Sequence, residues 1–210
     1  DSDGEIYISG LEPGTYLAKE IAATDDYVVN STPQQIELSA GGGIARLVFL
    51  NYLKPGIHLT KLDSQTMQPL VNATFLIEQV GGTYSKEFTT DENGEIDLSK
   101  LTPGAYTVTE TKAPDGYLID AATRINQINE GENAQFVFTD TQKPSLSVVK
   151  YDPNTGKNLA GAVFRIAKIE DGSHYLDRVS DVNGQITIDN LEPGIYSVQE
   201  ISAPEGYILN

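Results

Sequence analysis

The chain has 210 residues, no cysteine, and a formal net charge of −16 that results from 14 basic and 30 acidic side chains. This negative charge argues against nucleic acid and against an anionic membrane surface as partners. Because cysteine is absent, a disulfide framework is excluded. The sequence also has no apolar run of about 18 residues that could span a bilayer, so we expect no membrane contact in this segment.

The sequence is internally repeated. The block L-T-P-G-A-Y-T-V-T-E-T-K-A-P-D-G-Y at residues 101–117 has counterparts at 11–27 and 191–207, at intervals of 90 residues. Such a period indicates an array of structural modules, and each block is expected to do the same job in its own module.

The repeats divide the chain into three parts. Residues 1–54 form the C-terminal part of a first module, residues 55–143 form one complete module, and residues 144–210 form the N-terminal part of a third module. Because the chain begins and ends inside a repeat, we expect it to be a slice of a longer protein whose sorting signals lie outside it.

In the first module, the sequence predicts a short strand at 5–9 and a closing strand at 45–52. Leu47 and Phe49 share one face of the closing strand, and Asn51 continues that face. A polar residue therefore ends an apolar stripe.

The complete module begins with a predicted strand in which Ile57, Leu59 and Lys61 share a face, so here a lysine ends the stripe. The apolar run at 73–77 predicts a core strand. Asn93-Gly94 is a strong signal for a tight β-hairpin.

The repeated block of the complete module reads as a turn, a strand and a second turn. Pro103-Gly104 and Pro114-Asp115-Gly116 mark the two reversals of the chain. Between them, Tyr106, Val108 and Glu110 share the face that is expected to point into the core. The apolar stripe of this strand therefore ends in a carboxylate.

Two closing strands are predicted at 123–128 and 134–141. In the second of them Phe136, Phe138 and Asp140 share a face, and Asp140 occupies the place that Asn51 holds in the first module.

The third module restarts the pattern, with Leu146, Val148 and Lys150 in the places of Ile57, Leu59 and Lys61. No segment shows a sustained helical period of apolar residues, so many short strands separated by turns predict an all-β sandwich. The boundaries between modules are only a few residues long, which favours a rod-like array of modules.

Lys61, Glu110 and Asp140 each end a core-facing stripe, and unpaired charges in a core cost several kcal/mol each. A buried salt bridge is the simplest interpretation. The alternative is an isopeptide bond, in which an uncharged lysine attacks the acyl carbon of Asp140 while Glu110 transfers the proton. Equivalent positions in the partial modules carry Glu20 with Asn51 and Lys150 with Glu200.

Asn51 favours the bond over the salt bridge, because asparagine has no charge but shares an acyl carbon with aspartate. Lys61 and Asp140 lie at the C-terminal ends of their stripes, so they meet only if the first and last strands of the module are parallel neighbours. Antiparallel pairing would separate them.

The sequence contains an ordered set of motifs: K-x-D-x-x-T, L-x-x-A-x-F, T-D-x-x-G, L-x-P-G-x-Y-x-x-x-E and A-P-x-G-Y, followed by F-x-D or F-x-N. This set resembles the collagen-adhesin (Cna) B-type repeat of Gram-positive surface proteins, which is also called the SpaA-type pilin domain. The resemblance covers the full chain. In the first module residues 23–27 read A-T-D-D-Y and depart from A-P-x-G-Y.

The resemblance implies prealbumin-like (Ig-like) β-sandwich modules, export to the cell wall, and isopeptide bonds between a first-strand lysine and a last-strand Asn or Asp with a catalytic glutamate. These roles fall on Lys61, Glu110 and Asp140, and in part on Lys150, Glu200, Glu20 and Asn51.

We therefore expect a structural stalk of an extracellular, cell-wall-attached adhesin or pilin, in contact with neighbouring modules of the same chain. The alternative is that the modules themselves bind a host extracellular-matrix protein or glycan. No cofactor and no multiple-turnover enzyme site is expected. His58 and His174 have no partners at ligand spacing, which argues against zinc, and residues 152–156 indicate a plain turn better than a calcium loop.

Overall fold

The computed structural model describes residues 3–170 and 175–209, and all regular elements within these ranges are β-strands. The prediction of an all-β protein is confirmed. No described helix is long and apolar enough to cross a membrane. Of the two histidines, His174 lies outside the described residues.

The first module contains two antiparallel strands, β1 (Gly14–Ala18) and β2 (Gln34–Leu38). The strands that the sequence predicts at 5–9 and 45–52 are not formed, so both predictions are wrong. The reason is visible in the complete module, where the corresponding segments both pair with the module's first strand. The described residues include no counterpart of that strand for the first module, and a strand without a neighbour has no ladder to join.

The complete module has eight strands in two four-stranded sheets. One sheet has the order β6-β3-β10-β8 and the other the order β5-β4-β7-β9. The strands are β3 (Gly56–Asp63), β4 (Thr74–Gln79), β5 (Ser85–Thr89), β6 (Glu95–Leu98), β7 (Gly104–Lys112), β8 (Tyr117–Leu118), β9 (Arg124–Ile128) and β10 (Asn133–Gln142).

The third module has a two-stranded sheet and a three-stranded sheet, with the orders β11-β14 and β13-β12-β15. Its strands are β11 (Leu146–Val149), β12 (Val163–Lys168), β13 (Tyr175–Val179), β14 (Gln185–Ile188) and β15 (Tyr196–Ser202).

The core of the complete module lies between its two sheets. Buried and more exposed residues alternate along β3, β7 and β10, as expected for strands with one face on the core. Phe75 of β4 and Phe138 of β10 meet across the core, with ring centres 4.8 Å apart. The buried apolar residues are Ile57, Leu59, Ala73, Phe75, Ile77, Ile96, Leu101, Tyr106, Val108, Ile128, Ala134, Phe136 and Phe138.

Strands β3 and β10 are parallel neighbours over eight paired positions, from Gly56 opposite Asn133 to Asp63 opposite Asp140. The predicted parallel pairing of the first and last strands is therefore present. Lys61 lies opposite Phe138, so the side chains of Lys61 and Asp140 enter the core at the same end of the ladder.

Asn93-Gly94 forms a tight turn, and Gly94 has the positive φ of 73° that this turn requires. The turn does not make a hairpin, however, because β5 and β6 on either side of it belong to different sheets. It also packs against the backbone of Lys61, whose N–H donates to Gly94 O at 2.8 Å. A Cβ at position 94 would lie 2.7 Å from Lys61 O, so glycine is required for this close approach.

Ion pairs join the modules at both boundaries. Lys100 of the complete module contacts Asp26 of the first module at 2.6 Å. Lys143 contacts Glu192 of the third module, also at 2.6 Å. Charged side chains thus contribute to the expected contact between neighbouring modules of the chain, together with a hydrogen bond from the Gly131 N–H to Leu53 O at 2.7 Å. The rod-like arrangement stays a prediction.

Candidate functional site

Three strands from both sheets bring Lys61, Glu110 and Asp140 together. Lys61 is on β3, Glu110 is on β7 and Asp140 is on β10, and each is the first inward-facing polar residue after two apolar ones on its strand. Their exposed fractions are 0%, 2% and 1%. The sequence separations of 49 and 79 residues between the lysine and its two partners show that only the sandwich can assemble this group.

The ammonium group of Lys61 contacts both carboxylates. Its Nζ donates a hydrogen bond to Glu110 Oε2 at 2.9 Å and a second hydrogen bond to Asp140 Oδ1. The structure therefore unites all three residues that the sequence singled out in the complete module.

Aromatic rings enclose the lysine. Nζ lies 5.7 Å from the ring centre of Phe75 and 6.0 Å from that of Phe138, within the range of cation–π attraction. Burial raises the pKa of Glu110 to about 7, and the nearby charge of Asp140 acts in the same direction, whereas contact with Lys61 opposes the shift. Glu110 is therefore poised to hold or release a proton near neutral pH.

Two oxygens of the group accept no hydrogen bond from the described residues. They are Glu110 Oε1 and Asp140 Oδ2, and both are buried. An unpaired buried acceptor is costly, but a proton on Glu110 Oε1 turns one of the two into a donor. The geometry thus suits a protonated glutamate.

A backbone donor that the sequence analysis missed completes the site. The N–H of Asp120 lies 3.1 Å from Glu110 Oε2 and 3.3 Å from Asp140 Oδ1, so one donor serves both carboxylates. The available signal was the repeat itself, since Asn30, Asp120 and Asn210 recur at intervals of 90 residues. Asn210 lies outside the described residues.

The first module assembles the acceptor half of the same group. Asn51 Nδ2 donates to Glu20 Oε1 at 2.9 Å, to Glu20 Oε2 at 2.7 Å and to Val28 O at 2.9 Å. The N–H of Asn30 donates to Glu20 Oε2 at 2.6 Å. The amide nitrogen of Asn51 is thus hydrogen-bonded to Glu20, although the described residues of this module include no counterpart of Lys61.

The third module assembles the donor half. Lys150 Nζ donates to Glu200 Oε2 at 2.9 Å, and Glu200 Oε1 has no partner among the described residues. Lys150 and Glu200 are both partly exposed, and the described residues of this module include no counterpart of β10 to cover them. All seven residues named from the sequence therefore lie in the expected groupings.

A second polar cluster, centred on Asp63, lies at the end of the β3–β10 ladder. Asp63 accepts hydrogen bonds from the N–H groups of Gln65 and Thr66, both at 2.8 Å, and from the Tyr117 hydroxyl at 2.9 Å. These bonds, led by those from the backbone, lower the pKa of Asp63 to about 2. The tyrosine of the repeated block is thereby tied to the first strand, just beyond Lys61.

His58 lies on β3 with its ring outside the core. Its Nδ1 is 2.7 Å from Asp97 Oδ1 and its Nε2 is 3.8 Å from Glu95 Oε1, both on the neighbouring strand β6. The prediction that this histidine has no partners at ligand distance is therefore wrong, because pairing between strands creates a proximity that sequence spacing does not show. The two carboxylates contact different nitrogens of the ring, Asp97 the Nδ1 and Glu95 the Nε2.

Residues 152–156 form the plain turn that the sequence favoured. Asp152 accepts from the Asn154 N–H and from the Thr155 hydroxyl, both at 2.8 Å, which occupies its carboxylate within the turn.

A family model described as the SpaA prealbumin-like fold domain matches residues 1–52, 55–142 and 144–210. The chain belongs to this SpaA family. The resemblance noted from the motifs and the prediction of prealbumin-like modules are both confirmed. Each of the three matched segments of the SpaA chain corresponds to one repeat of the sequence.

The chain is also similar to parts of longer proteins. It is 24% identical over 190 residues to mouse BOS complex subunit NOMO1, covering 90% of this chain and 15% of the relative. It is 24% identical over 246 residues to serine-aspartate repeat-containing protein D of Staphylococcus aureus strain MW2, covering 94% of this chain and 18% of the relative. The chain thus spans less than a fifth of either relative.

Among solved structures, the chain is similar to the Bacillus anthracis TIE protein, with 31% identity, a TM-score of 0.48, and coverage of 95% of this chain and 38% of the other. The chain is also similar to a streptococcal ancillary pilin, with 23% identity, a TM-score of 0.45, and coverage of 95% of this chain and 70% of the other.

Proposed function

We propose that the complete module forms an isopeptide bond between Lys61 and Asp140 with Glu110 as the proton-transferring residue, and that modules locked in this way form the stalk of a bacterial surface adhesin or pilin. The observation that carries the proposal is the fully buried contact of Lys61 with the carboxylates of Glu110 and Asp140. Asp140 lies on β10, the parallel neighbour of the strand that carries Lys61. This places an amine against an acyl carbon in a water-poor core.

The chemistry is balanced within the three residues. Lys61 gives one proton to the Asp140 carboxylate, which leaves a neutral amine and a neutral acid without a change of total charge. Nζ then attacks Cγ, the second proton passes through Glu110 to the departing oxygen, and one water leaves. Glu110 ends in its starting state, but Lys61 and Asp140 are consumed in the new bond, so the reaction runs once and is not a turnover.

Asp140 and Asn51 occupy equivalent places, and both carry an acyl carbon that lysine can attack. The amide nitrogen of Asn51, which would leave as ammonia, is hydrogen-bonded to Glu20. A glutamate beside the leaving group is what a general acid requires. A buried salt bridge alone gives no reason for an uncharged partner at this position.

The bond would close a loop between residues 79 apart and join the first strand of the module to the last. The intervening chain would then be relieved of tension, which suits a stalk on a cell surface. The division into modules at 1–54, 55–143 and 144–210, the extracellular location and the attachment to a cell wall belong to the same proposal.

The test is the intact mass of the denatured chain. We expect a mass one water below that of the sequence, and a proteolytic fragment in which the peptides carrying Lys61 and Asp140 are joined. Lys61→Ala and Glu110→Ala should each restore the full mass.

The matched controls are Lys150→Ala and Glu200→Ala in the third module. They alter the same residue types at equivalent positions, but the closing strand is not present there, so the mass deficit should persist. If the unmodified chain has its full sequence mass, the three residues form a salt bridge and the proposal is wrong.

A further inference from the structure

We propose that the backbone N–H of Asp120 is the donor that stabilises the negative charge on Asp140 Oδ1 as Lys61 attacks. This inference rests on the proposed isopeptide chemistry and assigns a residue that the triad of side chains does not include. The N–H lies 3.3 Å from Asp140 Oδ1 and 3.1 Å from Glu110 Oε2.

The contact distinguishes the two oxygens of Asp140. Oδ1 faces the donors, namely Lys61 Nζ and the Asp120 N–H, whereas Oδ2 has no partner among the described residues. When the Nζ–Cγ bond forms, Oδ1 takes the negative charge and becomes the amide oxygen. Oδ2 already holds the first proton, which Lys61 gave to the Asp140 carboxylate before the attack. Oδ2 then accepts the second proton, which Glu110 carries from Nζ, the Cγ–Oδ2 bond breaks, Oδ1 forms the amide carbonyl, and Oδ2 leaves as water.

A local turn holds the donor in place. Asp120 Oδ1 accepts the N–H of Ala122 at 3.1 Å, an Asx-turn that fixes the backbone beside the site. Asp120 Oδ2 also pairs with Arg124 at 3.3 Å, and the Arg124 guanidinium stacks 3.9 Å above the ring centre of Phe138. The loop after β8 is therefore anchored to β10 itself.

The same arrangement occurs independently in the first module. Asn30 lies 90 residues before Asp120, its N–H donates to Glu20 Oε2 at 2.6 Å, and its side chain accepts the N–H of Thr32 at 3.3 Å. Both modules thus place an Asx-turn so that its first N–H reaches the glutamate. Asp and Asn can both make this turn, because each has a side-chain oxygen that accepts the N–H two residues further on. The feature shared by the two modules is therefore the orientation of the backbone donor.

Preorganised backbone donors at a developing oxyanion are strong contributors to acyl-transfer reactions, and removing one typically slows them about 10²–10³-fold. The Asp120 N–H is shared between two carboxylates, so we expect an effect near the lower end of this range, about 100-fold.

The experiment follows bond formation in the full chain after a short pulse of cell-free synthesis, with translation stopped and the fraction of the mass one water lower recorded over time. Asp120→Pro removes the N–H, and an ester in place of the amide at residue 120 removes it without the proline ring. The matched control is the same ester replacement at the neighbouring residue 121, because Ala121 is exposed and its N–H has no partner among the described residues.

We expect bond formation about 100-fold slower in both proteins that lack the Asp120 N–H, and unchanged in the protein with the ester at residue 121. The rate should also fall at a higher pH than in the unmodified chain, because loss of a hydrogen bond to the ionised Glu110 carboxylate raises its pKa. A purely structural role would slow the reaction without moving this pH dependence.

The ester protein decides the outcome if Asp120→Pro fails to fold. If the unmodified chain forms the bond and the ester protein forms it at the same rate, the role of Asp120 is refuted while the proposed function stands. If the unmodified chain forms no bond, the proposed function itself fails.

Discussion

Glu110→Gln isolates the contribution of the isopeptide bond to stability. Glutamine is nearly isosteric with glutamate and its Oε1 can still accept a hydrogen bond from Lys61, but it cannot carry a proton to the leaving oxygen. Lys61 and Asp140 then stay a buried ion pair without a covalent link. The variant therefore removes the bond while it preserves the packing of the core.

The magnitude follows from the loop that the bond closes. Lys61 and Asp140 are 79 residues apart, and the chain-entropy relation for a cross-link gives roughly 4.5 kcal/mol of stabilisation at 25 °C. For a domain the size of the complete module, 1 kcal/mol corresponds to about 4–8 °C in the unfolding midpoint. Glu110→Gln should therefore lower the midpoint by about 20–35 °C.

The assay is thermal unfolding of the full chain by calorimetry, with the mass of each sample measured first. Glu200→Gln in the third module is the matched control, because Glu200 also contacts a lysine but no closing strand is present. Its midpoint for the complete module should not change. If the unmodified chain carries the bond and Glu110→Gln lowers the midpoint by less than the roughly 5 °C that 1 kcal/mol produces, the loop-entropy reasoning is refuted.

Three further predictions follow. Asp140→Asn should still form the bond, as the equivalence with Asn51 requires, and its mass should be lower by one ammonia instead of one water; a full sequence mass would contradict the equivalence. Gly94→Ala should lower the unfolding midpoint more than Gly81→Ala. Both glycines have a positive φ, of 73° and 71°, but only at position 94 would the new Cβ meet the Lys61 carbonyl oxygen. Equal midpoints for the two variants would show that this close approach is unimportant. The lowered pKa of Asp63, about 2, contributes stability that is present above the ordinary aspartate pKa and is lost as pH falls through about 2. Asp63→Asn should therefore flatten the dependence of the unfolding midpoint on pH in this acidic range. Parallel curves for the variant and the unmodified chain would refute the assignment.

Much of the site could be predicted because its residues break a strong pattern. Lys61, Glu110 and Asp140 each follow two apolar residues at strand spacing, and their positions on their strands determine that the first and last strands must run parallel if the three are to meet. The repeat strengthened the prediction, since Asn51 showed which property of the third residue is kept between modules.

The errors have a common cause, which is that strand pairing is a tertiary property. The segments at 5–9 and 45–52 have the residues of strands but lack the strand that pairs with their counterparts in the complete module. Asn93-Gly94 encodes a tight turn, yet local turn chemistry does not determine whether the flanking strands pair with each other or with strands of two different sheets. His58 acquired Glu95 and Asp97 as neighbours through the β3–β6 ladder.

Asp120 was missed for another reason. Its contribution to the site is a backbone N–H, and every residue except proline has one, so the residue type carries no direct signal. Only the recurrence of Asn or Asp at positions 30 and 120, with an Asx-turn at each, marks the donor in retrospect.

The parallel direction of the β3–β10 ladder has a consequence for a chain under load. A pull on the preceding module enters at Gly56, and a pull on the following module leaves at Gln142, so the force acts on opposite ends of two parallel strands. This is shear, in which all the hydrogen bonds of the ladder are strained together, whereas unzipping would break them one at a time. The topology alone therefore distributes force over eight paired positions before any covalent link carries it.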